Sequence, residues 1–140
     1  MLIDRDKLKL IDDWDTNIFN YFEDMDLCLR FRLKGFEIIK ISDAEVDHNA
    51  FASHDDIYLK EMDFSRNWHY SWSRIYFLKK HTSQFQAFLF GFSLILTSSI
   101  KSILYFIFNR SKSITHFAKA YGALISILNL KPNYRPKIKL

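Results

Sequence analysis

Three carboxylates crowd the start of a predicted helix in the segment NYFEDMDLCLRFRLKGFEIIKI, residues 20–41. Glu23 and Asp24 follow two aromatic residues, and Asp26 lies two positions further on. A carboxylate at a helix N-terminus stays ionised, because the helix dipole favours negative charge there. A general base needs that ionised form and a fixed direction. The spacing therefore fits proton abstraction as well as ordinary capping of a helix.

The hydrophobic pattern predicts the elements that would hold these acids. Residues 24–34 have helical spacing, and Gly35 is a suitable left-handed terminator. Apolar runs predict a strand over residues 36–41 and a shorter one over residues 44–48. Further helices are predicted over residues 6–11 and 57–81, and one or two more over residues 83–109 and 113–130. The expected fold class is α/β, with a small sheet beside the helix that carries the acids.

Charge is distributed unevenly along the 140 residues. All 16 acidic residues lie at or before Asp63, so residues 1–63 carry a net charge of −8 and residues 64–140 carry +12. An acid-free basic segment of this length predicts an anionic partner. The alternative is that its lysines and arginines only solvate helix faces.

The basic part of the chain is also apolar and aromatic. Residues 85–109 are long enough for a membrane span, but Gln86, the polar cluster 97–99 and Lys101 interrupt them. A lysine at mid-bilayer depth is costly, so we expect a helix or hairpin in the headgroup region. A true span and a buried core helix remain the alternatives. Nucleic acid is not the expected partner, although aromatic and basic residues can stack on single strands.

The localisation follows from the N-terminus and the cysteine content. MLIDRDKLKL lacks the apolar core of a signal peptide. Cys28 is the only cysteine, which excludes an internal disulfide. Membrane contact is therefore expected on the cytoplasmic side, as a peripheral or monotopic attachment to an anionic surface.

The segment YFEDMDLCLRFRLKGFEIIKISDAEVDH resembles the acceptor-side motif of family 2 glycosyltransferases, particularly the rhamnosyltransferase-like branch. In that family an aromatic residue, Glu and Asp open a helix of the form D-x-D-L-C-x-R. A glycine, a strand and a valine-x-histidine segment follow. The matching positions are Phe22, Glu23, Asp24, Asp26, Leu27, Cys28, Arg30, Gly35, Val46 and His48. The resemblance is good over residues 1–81 and weaker as far as residue 130.

The resemblance implies an inverting sugar transferase of the GT-A fold. Asp24 matches the base that takes a proton from the acceptor hydroxyl. Glu23 would orient the acceptor or the base, and Asp26 would support the loop or contact the acceptor. Arg66 and Asn67 match an Arg-Asn pair of this branch. Arg66 would bind a phosphate of a lipid-linked acceptor or serve as an interfacial anchor.

The resemblance also implies a divalent metal ion. His48 matches a position at which related enzymes bind the metal beside the nucleotide diphosphate. Mn²⁺ or Mg²⁺ would neutralise the leaving diphosphate there, and a histidine ligand favours manganese somewhat. A histidine at a strand end that is satisfied by a backbone partner is the alternative.

The nucleotide-binding half, which precedes this motif in the family, has no counterpart in the sequence. We therefore expect a partial GT-A-like fold: a small sheet remnant plus helix over residues 1–57, membrane-associating helices over 58–131 and a loose tail over 132–140. The predicted function is transfer of a sugar such as rhamnose from a nucleotide diphosphate to a lipid-linked or cell-surface glycan. The sequence is then either a fragment of a split or truncated transferase, or it needs a further chain that supplies the missing half. The alternative is a non-catalytic membrane-surface or partner-binding module.

Overall fold

The computed structural model describes residues 1–45 and 58–136. Over those two ranges the chain forms five helices and no strand. The helices are α1 (Arg5–Lys9), α2 (Glu23–Leu33), α3 (Leu59–His81), α4 (Gln84–Phe108) and α5 (Arg110–Ile127). Each helix lies where the hydrophobic pattern predicts one, with ends that differ by at most three residues.

The predicted α/β fold class is wrong, because the described part of the chain is all-helical. Residues 36–41 have no regular secondary structure, and Ile38, Ile39 and Ile41 are exposed. A strand needs a neighbour for its backbone hydrogen bonds. None of the described backbone hydrogen bonds joins these residues to a second extended segment. Ala44 and Glu45 are also irregular, and residues 46–48 of the second predicted strand lie outside the described ranges.

The end of α2 agrees with the prediction from Gly35. This glycine has a φ of 81°, in the left-handed region that glycine adopts without steric cost. The Phe36 N–H donates to the Phe31 carbonyl, and the Gly35 N–H donates to the Arg32 carbonyl. The Phe31 and Phe36 rings lie 5.8 Å apart. Together these contacts form a Schellman motif, which satisfies the last carbonyls of the helix.

Helices α3, α4 and α5 form a three-helix bundle. α5 runs parallel to α3, because Phe64 lies against Phe117 and Lys79 donates to the Ser126 carbonyl. α4 runs antiparallel to both helices, and only Asn109 separates it from α5. Asn109 has an extended backbone, and its side chain accepts from the Lys112 N–H at 3.0 Å. This cap starts α5 directly after α4 ends.

The core of the bundle lies between α3 and α5. Trp68, Trp72 and Ala118 are buried together. The backbones of the two helices approach so closely that a Cβ added at Gly122 would lie 2.2 Å from the Trp68 carbonyl oxygen. Only a glycine permits this helix crossing.

The chain after α5 folds back along α3. The Trp72 indole N–H donates to the Leu130 carbonyl, and the Tyr134 hydroxyl donates to Glu61 at 2.9 Å. The Tyr134 ring packs against Trp68 at 5.7 Å. The tail was expected to be loose from residue 132, but as far as Pro136 it belongs to the packed structure, because a large aromatic side chain anchors it.

Candidate functional site

The two acids predicted for catalysis lie in the first turn of α2. Asp24 is exposed, and its carboxylate accepts from the Met25 N–H at 2.9 Å. Glu23 is partly buried, and its Oε2 atom is buried without a hydrogen-bond partner among the described residues. An unpartnered buried carboxylate oxygen is costly, so Glu23 retains an acceptor that a ligand hydroxyl could satisfy. Asp24 offers a charged oxygen to solvent on the same turn.

The backbone just before these acids is strained. Tyr21 and Phe22 have φ values of 64° and 68°, a conformation that bulky side chains rarely adopt. Each such residue costs about 1–3 kcal/mol and persists only where its surroundings hold it. Here the Phe22 ring lies 5.5 Å from both Tyr70 and Phe77 of α3. Strain of this kind is typical of functional sites, and it fixes the direction of the first turn of α2.

Asp26 lies on the opposite side of α2 and is 1% exposed. Its Oδ1 atom lies 2.7 Å from both Lys80 Nζ and His81 Nε2 of α3, and its Oδ2 atom accepts from Arg30 Nε at 2.8 Å. Burial raises the pKa of Asp26, but the hydrogen bonds from Lys80, His81 and Arg30 outweigh it and hold the pKa below its usual value. Its Oδ1 atom therefore joins α2 to α3, and its Oδ2 atom is held by Arg30 within α2. The role at the acceptor that the resemblance implies for Asp26 stays a prediction.

Asp15 extends this network to the loop before α2. Its Oδ2 atom lies 2.7 Å from Lys80 Nζ and accepts from the Tyr76 hydroxyl at 3.0 Å. Burial raises the pKa of Asp15, but Lys80, Asn17 and Tyr76 donate to the carboxylate and lower the pKa to about 2. Burial and Asp15 together raise the pKa of Tyr76 to about 12. Lys80 thus bridges two carboxylates, and no sequence spacing points to this arrangement.

Arg66 and Asn67 lie near the start of α3. Arg66 forms a salt bridge with Asp63 at 3.3 Å, and the Asn67 side chain donates to the Asp63 carbonyl. Arg66 precedes Tyr70 by one helical turn, on the side of α3 that packs against Phe22. The pair therefore lies on the flank of α3 that carries the start of α2. Their role in acceptor binding stays a prediction.

The metal site predicted at His48 lies outside the described residues. Within residues 1–45 and 58–136, no three His, Cys, Asp or Glu side chains are grouped so that they could hold a metal ion. The predicted Mn²⁺ or Mg²⁺ ion at His48 therefore stays a prediction, and we derive no step through a metal.

Helix α4 has the properties of a membrane-contacting element. Its length and composition would allow it to cross a membrane. Only 17% of its most apolar 18-residue stretch is buried. Exposure rises toward its C-terminal end, where Ile107 and Phe108 are 81% and 84% exposed. Exposed apolar surface of this extent on one helix marks an interaction site.

No protein-family model, curated protein or solved structure matches the chain.

Proposed function

We propose that the chain is the acceptor-side, membrane-docking part of an inverting sugar transferase, with Asp24 as the general base. The observation that carries the proposal is the contrast within α2. Asp26 is buried and anchors the helix to α3, whereas Asp24 is exposed in the first turn, just after the strained residues Tyr21 and Phe22. This contrast supports a carboxylate that is open to an acceptor on a helix held in place by Asp26, the arrangement that a positioned base needs.

In the proposed reaction, a hydroxyl of the acceptor attacks the anomeric carbon of a nucleotide-diphosphate sugar. The new carbon–oxygen bond forms as the bond to the diphosphate breaks, and the leaving diphosphate takes the bonding electrons. The hydroxyl proton passes to the Asp24 carboxylate. The free Glu23 oxygen accepts from a neighbouring hydroxyl of the acceptor and orients it, which supplies the proximity that such a displacement needs.

The acceptor is a lipid-linked or cell-surface glycan, and the donor is a nucleotide-diphosphate sugar such as a rhamnose donor. The exposed apolar helix α4 supports an acceptor that is carried by a membrane lipid, and the proposed attachment is to the cytoplasmic side. The nucleotide-binding half comes from outside residues 1–140, either from another segment of the same protein or from a further chain. Arg66, on the same flank of α3, contacts a phosphate of the acceptor lipid.

The test compares sugar incorporation by three membrane preparations. They contain the native chain, the Asp24→Asn variant or the Asp12→Asn control. Asp12 is an exposed acid with a φ of 62°, which Asn tolerates, so the control changes the same charge away from α2. Radiolabel from nucleotide sugars should enter the glycolipid fraction with the native chain and the control. It should fall by about 10²–10⁴-fold with Asp24→Asn, since that is the contribution of a general base. Equal incorporation by all three would overturn the assignment.

A second candidate function is favoured by the exposed apolar face of α4. The chain would then be a non-catalytic module that recruits a partner to the membrane surface. Under that function Asp24→Asn leaves incorporation unchanged, whereas a charged substitution at Ile107 reduces both membrane attachment and incorporation.

A further inference from the structure

We propose that one side of the α4–α5 hairpin binds the phosphate groups of an anionic phospholipid surface through Lys101, Lys112 and Lys119. The inference deepens the membrane-docking part of the proposed function, on which it rests. It names the lipid chemistry and the residues that recognise it.

The two helices hold these lysines together through a polar seam. The Ser113 hydroxyl donates to the Ser102 carbonyl at 2.8 Å, and the Ser102 hydroxyl donates to the Ser113 carbonyl at 3.0 Å. One turn away, the Tyr105 and His116 rings stack at 5.6 Å with an interplanar angle of 6°. The seam therefore fixes the register of the hairpin.

The lysines surround this stacked pair. Lys101 precedes Tyr105 by one turn of α4, whereas Lys112 and Lys119 lie one turn before and one turn after His116 on α5. Lys112 Nζ lies 5.5 Å from the centre of the Tyr105 ring. Residues three and four apart share one face of a helix, so the three ammonium groups converge on one side of the hairpin.

Among the described residues, no carboxylate pairs with this cluster. The sequence holds no acid after Asp63, and no salt bridge joins any of the three lysines to a carboxylate in the described ranges. Arg30, Arg66 and Lys80, in contrast, each have an acidic partner. Burial lowers the pKa of His116, and repulsion from Lys119, Lys101 and Lys112 lowers it further. Three like charges held at fixed positions without counterions fit a multivalent anion.

Apolar side chains at the same end of the hairpin decide which anion this is. Leu104 and Phe108, three and seven positions after Lys101 and so on the same face of α4, are 61% and 84% exposed. Lysines beside exposed apolar residues are typical of helices that lie at an anionic bilayer surface. A soluble phosphate compound would leave these apolar side chains in water, whereas a phospholipid surface covers them and supplies the phosphates.

The test measures partition of the chain onto vesicles of phosphatidylcholine alone and onto vesicles that also contain phosphatidylglycerol. The Lys101→Gln, Lys112→Gln, Lys119→Gln variant should lose on the order of 100-fold in affinity for the anionic vesicles, from the contribution of each lysine near such a surface. The control is Lys9→Gln, Lys34→Gln, Lys40→Gln, which removes the same charge from exposed positions outside the hairpin. It should bind nearly as tightly as the native chain.

Three results would overturn the inference: equal loss in both triple variants, no loss in the hairpin variant, or tighter binding to a single-stranded oligonucleotide than to anionic vesicles. If a triple variant fails to fold, single lysine variants replace it, and each should lower the salt dependence of vesicle binding. The outcome is separable from that of the sugar-transfer test. Asp24→Asn should leave vesicle binding unchanged, and the hairpin variant should retain transfer onto acceptor presented in detergent.

Discussion

Asp24 and Asp26 are two residues apart on α2 and occupy opposite environments. Two positions on an α-helix differ by about 200° in direction, so one side chain faces solvent when the other faces α3. Packing against α3 thus gives the two acids different roles. Asp26 anchors α2 to α3, and Asp24 stays accessible to a ligand. Residues of one type within one motif acquire different chemistry because their neighbours differ.

This division of roles predicts losses of stability that differ in size. Asp26→Asn leaves Arg30, Lys80 and His81 without their shared carboxylate, and we expect a loss of about 3–5 kcal/mol in the free energy of unfolding. Asp24→Asn removes only an exposed charge near the helix N-terminus, which is worth about 0.3–1 kcal/mol. Urea unfolding followed by circular dichroism measures both. Similar losses in the two variants would contradict the anchoring role of Asp26.

Asp15 makes stability depend on acidic pH. Its pKa falls from 3.8 in the unfolded chain to about 2 in the folded one, so the unfolded state binds more protons between these values. The stabilisation is complete above pH 3.8 and is lost as the pH falls toward 2. The shift corresponds to about 2 kcal/mol. The Asp15→Asn variant should lack the part of the pH dependence that Asp15 contributes. Free energies of unfolding measured between pH 3.8 and about 2 test this. Asp12→Asn should leave that part in place.

Local signals predict the helices but not their arrangement. Gly35 marks the end of α2 because a left-handed terminator needs no tertiary contact. The apolar residues 36–41 predict a strand, yet a strand forms only with a partner, which the sequence of the segment cannot specify. The bond between Asp26 and His81 joins residues 55 positions apart, so spacing could not reveal it. The catalytic role of Asp24, which is exposed as a base must be, stays a prediction.

The close crossing of α3 and α5 predicts that alanine destabilises the protein more at Gly122 than at Gly91. Gly122→Ala places a methyl group against the Trp68 backbone, which cannot rotate away. Gly91→Ala meets the side chain of Ile127, which can adopt another rotamer. Alanine favours a helix interior by about 1 kcal/mol over glycine. We therefore expect Gly91→Ala to be nearly neutral and Gly122→Ala to lose about 1–3 kcal/mol, the usual cost of overpacking.

Thermal unfolding of the two alanine variants measures this difference. A Gly122→Ala protein as stable as the native chain would show that the helices separate at little cost, and the close crossing would then not determine the geometry of the bundle.

At the scale of the whole molecule, the acidic helix α2 and the tip of the α4–α5 hairpin lie at different ends of the bundle. α2 docks beside the C-terminal end of α3, near His81, whereas the tip of the hairpin around Asn109 lies at the other end of α4. The 25 residues of α4 span about 37 Å at 1.5 Å per residue. If the hairpin tip contacts the membrane, Asp24 lies on the order of 30 Å from the bilayer. This geometry suits a glycan that has already grown outward from its lipid.

Fluorescent labels can test this orientation in a Cys28→Ser background. A label at Ile107→Cys should enter the apolar layer, shift its emission to the blue and be quenched by quenchers attached to lipid chains. A label at Asp12→Cys, on the loop that leads to α2, should stay in water and be quenched by soluble iodide instead. A label at Phe85→Cys, at the other end of α4, should show intermediate lipid quenching if the hairpin is tilted. Equal lipid quenching at positions 85 and 107 would mean that α4 lies flat, which would bring Asp24 close to the headgroups and favour a short lipid-linked acceptor.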